Sequence, residues 1–392
     1  SNYTAKLSYS LTADRGPSSI TNSRAVIKAD NRWRPSANDK ESSLYIAWLA
    51  NNDLTYEKKH ELNFGIDAGF LNNRINFTFD IYTRRNYDLI GATNTMGVGG
   101  ETTKYGNVAK MKSNGVELSL NTVNIKTKDF TWTTDFIYSH MHNEVTELNT
   151  LNRLYDYISG YGFTMPGYPQ RSLFSIPFAG LNNEGLPTFY DPDGNITVTG
   201  IDMQEYDPER LKFLKYEGPA DPTDVGSLGN IFRYKNLTLN LFITYSFGNV
   251  VRLDPVFSSE YSDLTATPKE FNNRWIKPGD EKFTNIPVIA SRQQLNNIAY
   301  LSRAYQSYNY STARVAEGDF IRMKEISLAY EFPKTLTQPL HLSNLSLKLQ
   351  ATNLFLLYAD KKLNGQDPEF FNTGGVATPM PKQFTLTLKF GI

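Results

Sequence analysis

From Gln383 to Phe390 the chain alternates without a break. Phe384, Leu386, Leu388 and Phe390 share one face; Gln383, Thr385, Thr387 and Lys389 share the other. A period of two sends successive side chains to opposite faces of a strand, so this stretch reads as a strand with one apolar and one polar side. Taken alone, such a strand suits a half-buried soluble sheet as well as a membrane wall. The pattern recurs, however. Leu62, Phe64, Ile66, Ala68 and Phe70 alternate with Glu61, Asn63, Gly65, Asp67 and Gly69. Ile75, Phe77, Phe79 and Ile81 repeat it, as do Val116, Leu118 and Leu120, and the longest run is Leu237, Leu239, Leu241, Ile243, Tyr245 and Phe247.

Length separates the two readings. Strands of soluble sheets usually run about 5–6 residues, whereas these run roughly ten or more, as a tilted crossing of hydrocarbon needs. About twelve strands are expected, near 2–12, 57–70, 74–90, 107–122, 129–143, 170–181, 186–191, 226–233, 236–249, 317–332, 343–356 and 382–391. The connections differ by side. Leu71-Asn72-Asn73 is tight, while Ala13 to Tyr56, Met141 to Gln170 and Val251 to Glu317 are long. Several structureless loops beyond about 15 residues are rare in a compact soluble domain. Tight turns at one end and long loops at the other are the outer-membrane arrangement. The fold class is therefore all-β, an antiparallel transmembrane β-barrel wall.

Composition narrows the function. Lys and Arg balance Asp and Glu at a formal net charge of zero, so no general basic field points to nucleic acid. No apolar run is long enough for a membrane-crossing helix, which says nothing of strands. With no cysteine, disulfides, thiolate metal sites and cysteine nucleophiles are excluded. Alternation starts at Tyr3, with no leader-like segment before it; the chain is expected to be a piece of a larger barrel.

Several segments, in order, resemble one family. They are Asn52-Asp53-Leu54-Thr55-Tyr56-Glu57 with the hairpin to Leu89-Ile90, Ser113-Asn114-Gly115-Val116-Glu117, Phe130-Thr131-Trp132 and Asn143-Glu144-Val145. They continue through Asp191-Pro192-Asp193-Gly194-Asn195, Gly229-Asn230-Ile231-Phe232-Arg233-Tyr234-Lys235, Asp319-Phe320-Ile321-Arg322-Met323-Lys324, Thr352-Asn353-Leu354-Phe355 and Asp367-Pro368-Glu369. The set resembles the C-terminal half of the SusC/RagA family, the TonB-dependent outer-membrane transporters of Bacteroidetes. The plug domain, the TonB-binding segment and the first barrel strands of that family have no counterpart in residues 1–392. The resemblance implies a twenty-two-stranded, plugged barrel, multi-pass in the cell outer membrane. It further implies TonB engaged through the missing N-terminal region, a SusD-like surface lipoprotein as lid, and a glycan or oligopeptide as cargo, with lipid around the wall and no cofactor. Two readings stand beside it: a soluble β-rich carbohydrate-binding protein, and an outer-membrane barrel enzyme.

An enzyme would need a convergent Ser, His and Asp constellation, and none stands out. The histidines are His60, His140, His142 and His341. His140 and His142 share a strand face and could grip a metal, but a solvated strand end is the weightier reading. Asp191, Asp193 and Asn195 imitate three ligands of an EF-hand loop. Ile196 then stands where the sharp-turn glycine belongs and Asp202 where the bidentate Glu belongs, so an Asx turn is expected. The candidate contacts to cargo or lid are aromatic: Tyr155, Tyr157, Tyr161 and Phe163 in one long loop, Tyr305 and Tyr308 in another. Aromatic faces stack on sugars and contact peptides; the competing role is packing within the loops.

Overall fold

The computed structural model describes residues 2–16, 24–30, 43–97, 103–150, 152–160, 162–256, 269–371 and 380–391. A ten-stranded antiparallel sheet forms the wall. Its strands are β1 (Asn2–Asp14), β2 (Glu57–Phe70), β3 (Ile75–Asn94), β4 (Thr103–Lys126), β5 (Phe130–Leu148), β6 (Asp224–Tyr234), β7 (Leu237–Phe247), β8 (Phe320–Glu331), β9 (Asn344–Ala359) and β10 (Gln383–Gly391). They pair in chain order, a plain meander with β1 and β10 at its two edges. The register carries the sequence alternation across the sheet: Leu239, Leu328, Leu349 and Leu386 stand in one row on the outward face. Ala5, Ile66, Phe79, Leu118 and Tyr138 stand in another. The opposite face pairs its own polar groups. Lys6 donates to Asp67, Asn121 to Asp135, and Asn63 to Asp80 at 3.2 Å, while Lys348 lies 3.6 Å from Glu325.

The connections sort by rim. Segments 71–74, 127–129, 235–236 and 332–343 close one end; 15–56, 95–102, 149–223, 248–319 and 360–382 close the other. Leu71, Asn72 and Asn73 all take left-handed backbone angles in the first tight turn, a conformation Asn tolerates better than most residues. Asp88 and Asn353 take the same region beside breaks in register, where each marks a bulge.

Two segments expected as wall strands, 170–181 and 186–191, are not in the wall, which is why the count is ten and not about twelve. Ser172–Ser175 pairs with Lys215–Pro219, and Phe178–Leu181, Pro187–Tyr190 and Ile196–Thr197 form a small sheet of their own. These strands belong to a second body built from connections 149–223 and 248–319. Its core gathers Leu154, Ile158, Ile176, Phe189, Leu301 and Tyr305, all at zero exposure. The helix Leu301–Asn309 buries Leu301, Ala304, Tyr305 and Tyr308, spaced as one face of a helix demands. Alternation in this part of the chain marks only short strands and a loop of tyrosines. Gly185 shows how closely the body packs: it takes φ +77°, and a Cβ on it would press into the Trp275 ring.

Candidate functional site

Strands β3, β4 and β5 are 20, 24 and 19 residues long, against 11 for β6 and β7. About 9–11 residues suffice for a barrel strand to cross hydrocarbon; β3–β5 run well past that length, with their far ends on the long-loop side. Between those ends and the loop body lies a cavity of about 920 Å³. Met111 and Val145 line it from the inner face of the wall, and Phe163, Tyr206, Arg153 and Asp156 line it from the loop body. Volumes of about 300–1,000 Å³ are usual for small-ligand pockets.

The loop side is fixed by its short helix. Leu154 and Ile158 of Leu154–Ile158 point into the core, leaving Tyr155, Asp156 and Tyr157 half-buried. Asp156 accepts from the Arg153 backbone N–H at 2.8 Å and from its guanidinium at 3.0 Å. Burial pushes the Asp156 carboxyl up, but the Arg153 contacts outweigh it and hold the group below the usual carboxylate range. Arg153 also donates to Gln204 at 3.2 Å. The cavity therefore offers a satisfied ion pair alongside the aromatic side chains of Phe163 and Tyr206, a lining suited to hydrogen-bonding and stacking on a polar solute.

The aromatic candidates part company. Phe163 lines the cavity, its backbone paired with Ser172 in both directions at 2.7 Å. Tyr157 packs edge-on against Phe163, with ring centres 4.9 Å apart, and Tyr155 does the same against Tyr310 at 5.9 Å. Tyr305 and Tyr308 are core residues, 0% and 1% exposed, and the Tyr305 hydroxyl donates to the Val288 carbonyl at 2.5 Å. The packing role accounts for these two. Tyr161 lies outside the described residues. Tyr206 was not among the aromatic candidates, yet it lines the cavity. Its segment is tied to the short helix by backbone bonds: the Leu154 N–H donates to the Glu205 carbonyl at 2.8 Å, and the Tyr155 N–H to the Met203 carbonyl at 3.1 Å. No local pattern in the sequence marks that pairing.

The polar motifs resolve as local structure. Asp191 accepts from the backbone N–H groups of Asp193 at 3.0 Å and Asn195 at 2.8 Å, an Asx turn closing a hairpin. His140 Nδ1 lies 2.9 Å from Asp224 Oδ1, which also accepts from the Tyr138 hydroxyl at 2.7 Å. Among the described residues no group of three or more His, Asp or Glu side chains is arranged to hold a metal.

No family model matches the chain. Among curated proteins it is similar to TonB-dependent receptor P39 of Formosa agariphila, 26% identical over 373 residues that cover 84% of this chain and 34% of that protein. It is also similar to TonB-dependent receptor SusC of Bacteroides thetaiotaomicron, 27% identical over 356 residues covering 86% of this chain and 32% of that one. The chain thus spans about a third of the length of these relatives. Among solved structures, the RagAB peptide transporter matches with a TM-score of 0.77 at 24% identity, covering 100% of this chain and 40% of that one. The RagAB importer in its open-open state matches at 0.75 and 23%. The resemblance read from the sequence is borne out in its relatives, which are TonB-dependent receptors including SusC, and the fold, mostly antiparallel strands, matches part of the RagAB structure.

Proposed function

We propose that this relative of the TonB-dependent receptors forms the C-terminal part of an outer-membrane importer, supplying some of its barrel wall and a loop body over its outer mouth. The observation that carries the reading is the cavity: it lies on the inner face of the wall, at the long-loop end, where a solute entering such a barrel would first be held. A glycan or oligopeptide of a few units suits its size and its mix of aromatic and polar lining. The open sheet and the share of the relatives' length that the chain spans support a larger barrel completed by further strands and a plug, with TonB driving transport.

A SusD-like lipoprotein would sit on the loop body. Phe283 and Ile276, 89% and 67% exposed, flank a turn anchored from below by buried Trp275. Large apolar side chains presented on a fixed base are typical binding hot spots.

Uptake tests the reading. In the intact transporter, Phe163→Ala with Tyr206→Ala should lower cargo uptake while heat stability is kept; unaltered uptake would remove the cavity from the path. Phe283→Ala with Ile276→Ala should weaken lid binding by about 2 kcal/mol or more, read by calorimetry on the purified partners.

A further inference from the structure

Each of the four connections on the rim of the tight turns, 71–74, 127–129, 235–236 and 332–343, carries one Lys or Arg: Arg74, Lys128, Lys235 and Lys334. All four residues are exposed, and none makes an ion pair among the described residues. Carboxylates on this rim are scarce, represented by Asp129 and Glu331. The far ends of β3–β5 differ: there Lys112 pairs with Glu144 at 2.9 Å, Lys110 with Glu147 at 2.6 Å and Lys58 with Asp88 at 2.8 Å.

The four cations stand just beyond an aromatic border of the outward face. Trp132 and Phe232 stack there with ring centres 5.6 Å apart, and Tyr330 meets Phe332 edge-on at 5.1 Å. Lys235 holds its ammonium 5.5 Å over the Tyr234 ring, on that same face. Arg74 is pinned by donating to the Val123 and Asn124 carbonyls, each at 3.0 Å, so its charge is fixed in place. Interfacial aromatics followed by cations set the charge at the depth of lipid headgroups.

We infer that the short-turn rim binds the phosphate groups of anionic phospholipids in the leaflet it borders. The inference rests on the reading of the wall as membrane-spanning. Exposed cations on one rim, without ion-pair partners among the described residues, attract anionic lipid additively, and the attraction weakens with salt. An acidic protein segment is the competing occupant; the aromatic border favours lipid, because it continues the outward apolar face.

The test uses the intact transporter with its partner subunits, in nanodiscs made from equal amounts of phosphatidylglycerol and phosphatidylcholine. Lipids retained on detergent extraction are counted by native mass spectrometry. The wild type should retain phosphatidylglycerol in about fivefold excess or more, and less at high salt. Lys128→Gln with Lys235→Gln, and separately all four cations changed to Gln, should lose that excess stepwise. Lys277→Gln with Lys282→Gln, in the opposite loops, should keep it. Equal retention of both lipids by the wild type, or an excess that survives the fourfold change, would overturn the inference. Displacement of the lipid by inorganic phosphate or by polyglutamate at matched charge would overturn it too, in favour of a free-anion or an acidic-protein site. Failure to enter any bilayer would sink the importer reading and this inference with it, whereas insertion without lipid selectivity would sink this inference alone.

Discussion

Phe384 in the wall and Tyr305 in the loop body are aromatic side chains of one chain, 77% and 0% exposed. The wall has periodicity, register and an apolar face, and among the described residues Leu386, Leu388 and Phe390 on that face are exposed along with Phe384. The loop body has short, irregular elements and a closed core. Hydrophobic burial in water holds the second, while the first, on the importer reading proposed above, is completed by lipid. A chain can thus contain two stability regimes, and substitutions should separate them.

The largest effect is expected from Tyr305→Ala, which removes a fully buried ring and its hydrogen bond. It should destabilise the loop body by about 3–5 kcal/mol, seen as faster hydrogen exchange across 292–309 with the barrel's heat resistance retained. Joint melting of wall and loops would erase the distinction. Next comes Leu241→Arg on the outward face, at about 2–4 kcal/mol near mid-depth. Asn240→Arg, on the face where Asn240 donates to Glu325 at 3.3 Å, should cost much less. Equal losses in refolding titrations into lipid would mean that the outward face is not a lipid face.

Alkali should separate the regions in turn. Burial pushes the Tyr308 phenol up to about 12 from an ordinary value of 10.0. The unfolded phenol ionises first as pH rises, so the stability is whole below about pH 10 and is lost between there and about 12. The loss is roughly 2–3 kcal/mol, confined to the loop body and visible in near-ultraviolet circular dichroism. A loop signal flat across that window would contradict this. The smallest effect is Asp156→Asn, about 1 kcal/mol from a weakened helix start and a lost ion pair. Because the Asp156 carboxyl is held low in the folded chain, its contribution stands above the ordinary carboxylate range and is lost as pH falls through the folded value. Acid titration of the variant should lack that step.

The wall was legible because one apolar and one polar face impose a period of two. Legibility stopped where that contrast stops. Alternation placed strands at 74–90, 107–122 and 129–143, yet they run on to Asn94, span Thr103–Lys126 and reach Leu148. The missed ends include Gly91 to Asn94, Thr103 to Gly106 and Glu144 to Leu148, where polar and small residues occupy both faces and no alternation is sustained. In the loop body Leu173, Phe174 and Ile176 looked like a wall strand, but Ser172–Ser175 is buried on both sides. The helix had a readable signal in Leu301, Ala304, Tyr305 and Tyr308, masked by the tyrosines' appeal as a binding cluster. The cavity was only partly legible: Phe163 was singled out, while Tyr206 and Met111 reach it through contacts distant in sequence.

The loop body is made from two connections that the chain emits separately. Phe178 reaches Thr312 across 134 positions, and Ile201 reaches Ser307 across 106. Such distant partners meet late, since the entropy of closing the intervening chain must be overcome before their contact is rewarded. Between the two connections lie only β6, its tight turn and β7. The body can therefore close only once that hairpin has delivered both loops to the same side of the sheet. Placement of that hairpin thus governs whether the aromatic core around Phe189, Tyr305 and Tyr308 is covered at all.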